Sequence, residues 1–301
     1  MNGLIFDIKR YAINDGPGIR IVIFFKGCNL DCAWCHNPEG VAAGIEKMYA
    51  RSKCILCGTC VGACHENAIT IDTDKIVTDT LLCTLCGKCA EVCPTKAIEM
   101  SGNPMSVTEI MDEIGKERIF FEQSGGGVTF SGGEPLIQSE ILMQLLEECG
   151  NRGIHRTVDT AGHVKTQTML EVASRTDLFL YDLKIMDPKM HERWCGVGNE
   201  LILHNLKALS ETGARIIIRV PLIGDVNDSE ENIRQTAEFI NSLAGDKKEV
   251  HLLPYHRIAE PKYEKLGRGV DFELFPETEE RTKQRIVEIF RENGIVATVG
   301  G

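Results

Sequence analysis

Cysteine is the residue type whose number and spacing say most about the chemistry of this 301-residue chain. Eleven of its 13 cysteines fall between positions 28 and 93, in three short runs. The first run has the spacing C-x3-C-x2-C and consists of Cys28, Cys32 and Cys35. Three thiolates at this spacing can hold a four-iron cluster but leave one iron open to an external ligand. The run therefore predicts a reactive iron–sulfur cluster, with a three-cysteine zinc site as the alternative.

Two longer runs have the spacing C-x2-C-x2-C-x3-C, which is the pattern of bacterial ferredoxins. The second run repeats the first 29 positions later, which indicates an internal duplication. In two-cluster ferredoxins the fourth cysteine of each run ligates the other cluster, and a pair of zinc sites, whose ligands usually come as two pairs, is the alternative. The predicted ligands are Cys54, Cys57, Cys60 and Cys93 for one cluster, and Cys64, Cys83, Cys86 and Cys89 for the other.

The elements that must position these cysteines alternate short apolar runs with amphipathic helical patterns, which indicates an α/β fold. Six β–α units predict a partial (β/α)6 TIM-like barrel of residues 1–47 and 101–301, with a ferredoxin-like domain of two 4Fe-4S clusters inserted at residues 48–100. The predicted strands are residues 19–25, 128–130, 155–159, 178–183, 215–220 and 250–253. The predicted helices are residues 137–149, 166–173, 201–210, 230–243 and 278–293.

Composition narrows the classes of function. The formal net charge of −11 argues against broad nucleic-acid binding, which needs a basic surface. The first residues carry charges and no long apolar run, so we expect neither a signal peptide nor a membrane-spanning helix. We therefore expect a cytoplasmic location. Without export, metal ligation is the better interpretation of the cysteines than disulfides. Exposed clusters also indicate an oxygen-poor, anaerobic setting.

Six segments in chain order resemble those of the glycyl radical enzyme activating enzymes, a family of the radical S-adenosylmethionine superfamily. A three-cysteine loop after the first barrel strand looks like that superfamily, and the inserted two-cluster domain looks like the larger subclass of the family. The resemblance covers nearly the whole chain. The segments are YAINDGPGIR (11–20), CAWCHNPEG (32–40), GGGVTFSGGEPL (125–136), DTAGH (159–163), DLKIMD (182–187) and LLPYH (252–256).

The resemblance implies that two strand ends surround the amino group of S-adenosylmethionine. Gly132 and Gly133 would let the backbone approach that group closely, and Glu134 would supply charge nearby. Asp159 would bind the ammonium group or a monovalent cation near the S-adenosylmethionine site. An ordinary glycine turn and a solvated acid at a strand end are the alternatives.

The resemblance also implies residues that contact the other parts of S-adenosylmethionine and a partner protein. Lys184 would meet the carboxylate or the ribose, or form a salt bridge with its neighbouring acid. Arg219 lies in an apolar strand, where a charge needs a ligand carboxylate or a buried acid. His256 resembles a ribose-contacting histidine, and Trp34 would shield the cluster, pack near the adenine or belong to the core. Asp15 would contact the glycine loop of the partner, or belong to a simple turn.

The function implied by the resemblance is a reaction on a protein substrate. One electron at the reactive cluster would cleave S-adenosylmethionine to methionine and a 5′-deoxyadenosyl radical, which would abstract a hydrogen from a backbone glycine of a glycyl radical enzyme. The inserted clusters would relay electrons from flavodoxin or ferredoxin, or serve structure and docking, and we expect a monomer. A radical S-adenosylmethionine oxidoreductase of a small molecule, with the extra clusters as electron acceptors, is one alternative, and a non-catalytic electron carrier is another.

The two cysteines outside the runs carry no such prediction. Cys149 lies in a predicted helix and is expected to pack in the core, and the spacing of Cys195 suits no cluster.

Overall fold

The structure is a computed structural model that describes residues 2–246, 248–269 and 275–300. Its strands are β1 (Asn2–Ala12), β2 (Arg20–Phe25), β3 (Glu46–Tyr49), β4 (Ile69–Asp72), β5 (Lys75–Thr78), β6 (Ile98–Ser101), β7 (Asn103–Ser106), β8 (Gly127–Gly132), β9 (His155–Thr160), β10 (Leu178–Asp182), β11 (Ile216–Leu222), β12 (Glu249–Pro254) and β13 (Ala297–Val299). Its α-helices are α1 (Thr59–Gly62), α2 (Lys88–Glu91), α3 (Val107–Gly115), α4 (Arg118–Ser124), α5 (Ser139–Asn151), α6 (Thr166–Ala173), α7 (Pro188–Cys195), α8 (Glu200–Glu211), α9 (Glu230–Asn241), α10 (Glu260–Leu266) and α11 (Glu280–Glu292).

Nine strands form one large sheet, in the order β13-β12-β11-β10-β9-β8-β2-β1-β7. The strands from β13 to β2 in that order run parallel. β1 pairs antiparallel with β2, and β7 pairs antiparallel with β1. In the described chain this sheet is open, with β13 and β7 at its edges, and no helix has the length and apolar character needed to cross a membrane.

The predicted α/β fold with a large parallel sheet is confirmed. The six predicted strands correspond to β2 and to β8 through β12, and the predicted helices correspond to α5, α6, α8, α9 and α11, with ends shifted by a few residues. The prediction omitted β1, β7 and β13. β1 and β7 lie at one side of the sheet and are partly exposed, so they lack the continuous apolar run of a strand buried on both faces. β13 has three residues, too few for a recognisable pattern.

A buried arginine at the start of β2 ties the preceding loop to the sheet. Arg20 is 1% exposed. Its guanidinium donates hydrogen bonds to the Pro17 carbonyl oxygen at 2.9 Å and to the Thr157 hydroxyl oxygen at 2.9 Å. The Thr129 hydroxyl donates to the carbonyl oxygen of Asp15 at 2.6 Å. These bonds hold the segment around Asp15 against the interior strands β8 and β9.

The stretch between β2 and β7 forms a smaller unit with its own core. β3 and β6 pair antiparallel, as do β4 and β5. The predicted domain limits at residues 48 and 100 therefore fall inside one pair of strands, which forms the base of the unit. The buried residues of its core are Cys60, Ile69, Ile76, Cys89 and Ile98, separate from the main core.

The two halves of this unit repeat one backbone conformation. Leu56 and Leu85, 29 positions apart, both adopt the left-handed region, with φ of 56° and 55°. Gly58 and Gly87 follow with φ of 75° and 80° and precede α1 and α2. A non-glycine residue rarely adopts positive φ without a constraint. The same rare conformation at both positions is therefore the structural counterpart of the duplicated sequence.

A buried asparagine of α8 fixes the loop that follows β9. The Asn205 side chain is fully buried, and its Nδ2 donates to the carbonyl oxygens of Gly162 at 2.8 Å and Val164 at 2.6 Å. Its Oδ1 accepts a hydrogen bond from the Thr166 hydroxyl at 2.7 Å. One side chain thus satisfies three polar groups of the loop between β9 and α6.

We expect Asn205→Ala to lower the free energy of unfolding, because each polar group left buried without a partner costs about 1–3 kcal/mol. Urea unfolding followed by circular dichroism measures the loss. Asn241→Ala is the matched control, because the exposed Asn241 donates a single bond, to the Asn293 carbonyl oxygen at 3.1 Å. Equal losses in the two variants would contradict this account of the loop.

Candidate active site

The carboxyl ends of the parallel strands surround a cavity of about 980 Å³, counted out to its open mouth. This is the edge at which active sites of parallel α/β sheets assemble. The predicted site residues that line it are Cys28, Cys32, Trp34, Cys35, Gly132, Gly133, Asp159, Lys184 and Arg219. Glu134, His256 and Asp15 are not among the lining residues.

The three-cysteine loop follows β2 and is held by backbone bonds. The Gly27 N–H donates to the Gly40 carbonyl oxygen at 2.7 Å, and the Leu30 N–H points at the Cys28 sulfur at 3.4 Å. Burial raises the pKa of Cys28 to about 12 and that of Cys35 to about 12. Buried thiols of this kind ionise when a metal replaces their protons. The donor set of three thiols and an N–H aimed at sulfur fits an iron–sulfur cluster.

Two glycines form the wall beside this loop, and the structure requires glycine at both. A Cβ on Gly132 would lie 2.2 Å from the Phe25 carbonyl oxygen, and one on Gly133 would lie 2.3 Å from the Gly27 carbonyl oxygen. Gly132 also has a φ of 129°, which side chains rarely adopt. The backbone at the end of β8 therefore lies directly against the end of β2.

Glu134 lies behind that wall and is fully buried. Its carboxylate accepts hydrogen bonds from the Thr160 hydroxyl at 2.8 Å, the Ala161 N–H at 2.9 Å and the Leu136 N–H at 3.2 Å. Burial raises the pKa of Glu134 to about 7, although these donors favour the charged form. In this structure Glu134 holds the start of the loop after β9 against the glycine wall.

Asp159 and Arg219 line the cavity and form a partly buried charge cluster with Asp15. Arg219 Nη1 lies 3.3 Å from a carboxylate oxygen of Asp159 and 3.7 Å from one of Asp15. The Ser131 hydroxyl donates to Asp159 at 2.7 Å. Burial raises the pKa of Asp159 to about 6, and the Arg219 charge opposes that rise. Nε of Arg219 is buried and finds no hydrogen-bond partner in the described chain.

Lys184 brings a second cation to the cavity and lies close to the cysteine loop. Its Nζ lies 2.5 Å from a carboxylate oxygen of Asp182. Burial lowers the pKa of Lys184, but the charges of Asp182, Cys32 and Cys195 outweigh burial and raise it overall. The predicted salt bridge with the neighbouring acid is present, and the lysine also lines the cavity.

His256 and Trp34 differ in their placement. His256 is exposed, and its Nδ1 lies 3.9 Å from a Glu277 carboxylate oxygen. The preceding residue, Tyr255, lines the cavity instead and stacks on the His36 ring at 5.5 Å between centroids. Trp34 is 5% exposed and contacts Phe275 edge-on, so it both belongs to the main core and lines the cavity.

The sequence did not predict the residues near the C-terminal end of the chain that bind the cysteine loop. Lys262 donates to the carbonyl oxygen of His36 at 3.0 Å and pairs with Glu39 at 2.7 Å, and the Tyr263 hydroxyl donates to the Cys35 carbonyl oxygen at 3.0 Å. Both belong to the short helix α10, which was not predicted. Their positions follow no motif, so no local signal could have revealed them.

Sequence reasoning also gave no role to Cys195, yet it lies beside the cysteine loop. Its carbonyl oxygen accepts a hydrogen bond from the Asp31 N–H at 2.9 Å, and its side chain is fully buried. Cys149, in contrast, is buried in the main core on α5, as the helical pattern predicted. Chain spacing cannot reveal the first contact, because it joins α7 to a distant loop.

The smaller unit contains two further cavities lined by cysteines. They enclose about 310 and 340 Å³ of space not filled by atoms. The cysteines are Cys54, Cys57, Cys60 and Cys93 in one cavity, and Cys64, Cys83, Cys86 and Cys89 in the other. The Ala68 N–H points at the Cys64 sulfur at 3.3 Å, and the Ala97 N–H at the Cys93 sulfur at 3.2 Å. Each cavity thus presents four thiols and a backbone N–H aimed at a sulfur, a donor set of the kind that holds an iron–sulfur cluster.

Comparison with known proteins gives matches along the whole chain. A family model described as a 4Fe-4S single cluster domain matches residues 14–193. The trans-4-hydroxy-L-proline dehydratase activating enzyme of Clostridioides difficile is 41% identical over 304 residues, covering 100% of both chains. The choline trimethylamine-lyase activating enzyme of Oleidesulfovibrio alaskensis is 39% identical, covering 96% of this chain and 94% of its own length.

Solved structures give the same picture of the fold. A domain of the pyruvate-formate lyase-activating enzyme from Bacteroides vulgatus superimposes with a TM-score of 0.51 at 40% identity, covering 58% of this chain and 99% of that domain. Streptococcus suis SuiB bound to the precursor peptide SuiA superimposes with a TM-score of 0.55 over 93% of this chain and 48% of its own. At 15% identity, the second likeness concerns the fold alone.

We expect Arg219→Met to destabilise the protein more at pH 8 than at pH 5.5. Asp159 already has a pKa of about 6 in the folded protein, above its ordinary value, and loss of the Arg219 charge raises that pKa further. Below about pH 6 the carboxyl is protonated and needs no cation, whereas above it the variant must bury an unpaired charge. Thermal unfolding at the two pH values measures the difference.

The double variant Arg219→Met, Asp159→Asn serves as the control for this pH effect. It removes the carboxylate as well as the cation, so its deficit relative to the natural chain should depend less on pH than that of the single variant. A deficit in the single variant that is constant from pH 5.5 to 8 would contradict the assignment of Arg219 as the counter-charge of Asp159.

Proposed function

This chain belongs to the glycyl radical enzyme activating enzymes of the radical S-adenosylmethionine superfamily, and from that membership we propose which of its residues carry the reaction. The protein is an enzyme that activates a partner glycyl radical enzyme. The observation that carries the site assignment is the shared cavity of three loop thiols, a glycine wall and two cations, Lys184 and Arg219. The small-molecule and electron-carrier alternatives are not supported by the full-length relatives, which are activating enzymes.

Cys28, Cys32 and Cys35 would hold a 4Fe-4S cluster with one open iron, at which S-adenosylmethionine binds. When bound, the reduced cluster would supply the one electron that cleaves S-adenosylmethionine to methionine and a 5′-deoxyadenosyl radical, which would take a hydrogen from the partner's backbone glycine. The chain's task is to orient the substrates and to exclude water. Burial of the loop thiols and of the charges around them supports this proposal.

The residues around the cavity divide by charge. Arg219 and Lys184 would bind the carboxylate of S-adenosylmethionine, and the buried, unpartnered Nε of Arg219 supports an additional acceptor there. Asp159 would balance the ammonium group or a monovalent cation. Glu134 would act on the same group through the glycine wall rather than by contact, since it lies behind that wall. His256 would reach the ribose through a rearrangement of its exposed side chain.

Asp15 would meet the glycine loop of the partner enzyme. Its segment is tied to the interior strands by Arg20 and Thr129, and its carboxylate lies 3.7 Å from Arg219. A peptide that reaches the cavity would therefore meet a fixed acid beside the buried cations. The relatives named for hydroxyproline dehydratase, choline lyase and sulfopropanediol dehydratase have 41%, 39% and 38% identity. Because these identities are so similar, they support a glycyl radical enzyme as the partner but do not single out one such enzyme.

The smaller unit would be the inserted ferredoxin-like domain of residues 48–100, with two 4Fe-4S clusters and therefore three in the chain. The crossed cysteine sets that the spacing predicts line two separate cavities, which supports this ligand assignment. Exposed Cys57 and Cys86 mark the parts of the cavities closest to solvent. The unit would relay electrons from flavodoxin or ferredoxin to the cluster at the main cavity, and docking of a protein is the competing role.

We expect the anaerobically reduced, fully loaded protein to generate a glycyl radical in its partner in the presence of S-adenosylmethionine. The measurement is electron paramagnetic resonance on mixtures with a hydroxyproline dehydratase or a choline lyase. Cys28→Ser should abolish the signal and lower the iron content by about four atoms per chain. Cys149→Ser, a change at a core cysteine, should keep both. Methionine release without a protein radical would instead favour a small-molecule reaction.

We expect Cys83→Ala to slow partner activation when reduced flavodoxin is the electron donor and to leave it nearly unchanged with dithionite. The reason is that a small reductant can reach the main cavity directly, whereas a protein donor depends on the inserted unit. Radical formation over time, measured with each donor, separates the two roles. An equal loss with both donors would assign the unit to structure or docking, and a normal rate with flavodoxin would exclude the relay.

A further inference from the structure

The lining of the main cavity differs in character from one strand end to the next. The ends of β9, β10 and β11 and the residues just after them contribute its charged side chains, Asp159, Asp182, Lys184 and Arg219. The last residues of β11 and β12 and those that follow contribute apolar and aromatic side chains, including Pro221, Leu253 and Tyr255. An occupant with charged groups at one end and an uncharged ring system at the other would match this division.

Tyr255 has a fixed place between the end of β12 and the cysteine loop. Its backbone N–H donates to the Leu222 carbonyl oxygen at 3.0 Å, and its side chain is 1% exposed. Its ring stacks on that of His36, with 5.5 Å between centroids and 10° between planes, and meets Phe275 edge-on at 6.2 Å. Nε2 of His36 in turn lies 3.0 Å from the His256 carbonyl oxygen. The tyrosine ring is therefore held from several directions before any ligand binds.

The hydroxyl of Tyr255 is the polar group that this packing leaves unsatisfied. It is buried and has no hydrogen-bond partner among the residues that the structure describes. The other two buried tyrosine hydroxyls do have one, since Tyr181 donates to the Ile202 carbonyl oxygen at 2.7 Å and Tyr263 to the Cys35 carbonyl oxygen at 3.0 Å. A buried hydroxyl normally finds a partner, because leaving it unpaired is costly. Since Tyr255 lines the cavity, a ligand there can supply that partner.

We propose that Tyr255 is a binding residue for S-adenosylmethionine and that its hydroxyl forms a hydrogen bond with the adenosyl part of that ligand. A tyrosine hydroxyl can donate to a ring nitrogen or a ribose oxygen, and it can accept from a ribose hydroxyl. The adenosyl part offers these groups without charged ones, whereas the amino acid part carries the charges that suit Asp159, Lys184 and Arg219. The inference rests on the proposed function and adds a contact from the residue next to His256, whose own side chain is exposed.

The test is anaerobic isothermal titration calorimetry of the fully loaded protein with S-adenosylmethionine. The clusters are kept oxidised, so that the ligand is bound but not cleaved. Tyr255→Phe removes the hydroxyl and keeps the ring, so it should raise the Kd about two- to tenfold, as expected for loss of one hydrogen bond. The same titration with 5′-methylthioadenosine, which keeps the adenosyl part and lacks the amino acid group, should show an equal loss.

Thermal unfolding without S-adenosylmethionine separates a ligand contact from support of the fold. Tyr255→Phe should unfold at the natural temperature or above it, because the variant removes a buried hydroxyl that has no partner. Tyr181→Phe is the matched control, since it removes a hydroxyl that is bonded to Ile202 and does not line the cavity. That control should unfold at a lower temperature and keep the natural Kd. Both variants should keep the natural iron content.

An unchanged Kd for S-adenosylmethionine in Tyr255→Phe would overturn the proposal. Weaker binding of S-adenosylmethionine with unchanged binding of 5′-methylthioadenosine would place the contact on the amino acid part and overturn the adenosyl assignment. A lower unfolding temperature or a loss of iron in Tyr255→Phe would assign the hydroxyl to support of the fold. A natural, loaded protein that does not bind S-adenosylmethionine would contradict the proposed function itself, and that outcome does not depend on any variant of Tyr255.

Discussion

An ion-pair network that joins the two ends of the cysteine loop is the interaction on which the rest of the structure depends. The Lys26 ammonium, fully buried at the end of β2, lies 2.7 Å from one carboxylate oxygen of Glu46, and Arg268 lies 2.6 Å from the other. Lys26 also donates to the Glu39 carbonyl oxygen at 2.6 Å. A buried ammonium is stable when it is paired and hydrogen-bonded. This network therefore joins the loop, the first strand of the smaller unit, β3, and Arg268 near the far end of the chain.

The same requirement, that a charge removed from water must be paired, explains how several charged side chains can line the cavity. Arg219 and Lys184 are partly buried, and each is paired with an acid at a strand end, Asp159 on β9 and Asp182 on β10. Parallel strands place their carboxyl ends at the same edge of the sheet. Acidic and basic side chains at the ends of adjacent strands are therefore close enough to pair. Two partly buried cations next to three thiols favour anionic occupants, such as thiolate clusters and carboxylates. The fold thus sets the electrostatics before any ligand binds.

How much the sequence could predict depended on how far apart in the chain the contacting residues lie. The crossed cysteine sets were predictable because each run of about ten residues fixes its own loop, and the left-handed Leu56 and Leu85 repeat with it. The six central strands were predictable because burial on both faces leaves continuous apolar runs. The hydrogen bonds of Cys195 and Lys262 to the cysteine loop were not predictable. Both join segments that are distant in the chain and come together only in the folded protein.

The position of α10 shows how the smaller unit is held next to the large sheet. On one side, Tyr263 of this helix bonds the backbone of Cys35. On the other, Lys265 pairs with Glu99 at 3.0 Å, and the end of the helix lines a groove with Cys83 of the smaller unit. Since the unit has its own core, its contacts with the rest of the chain serve to orient it. The β3–β6 pair and α10 supply these contacts, and α10 thereby links the unit to the cysteine loop that it also holds.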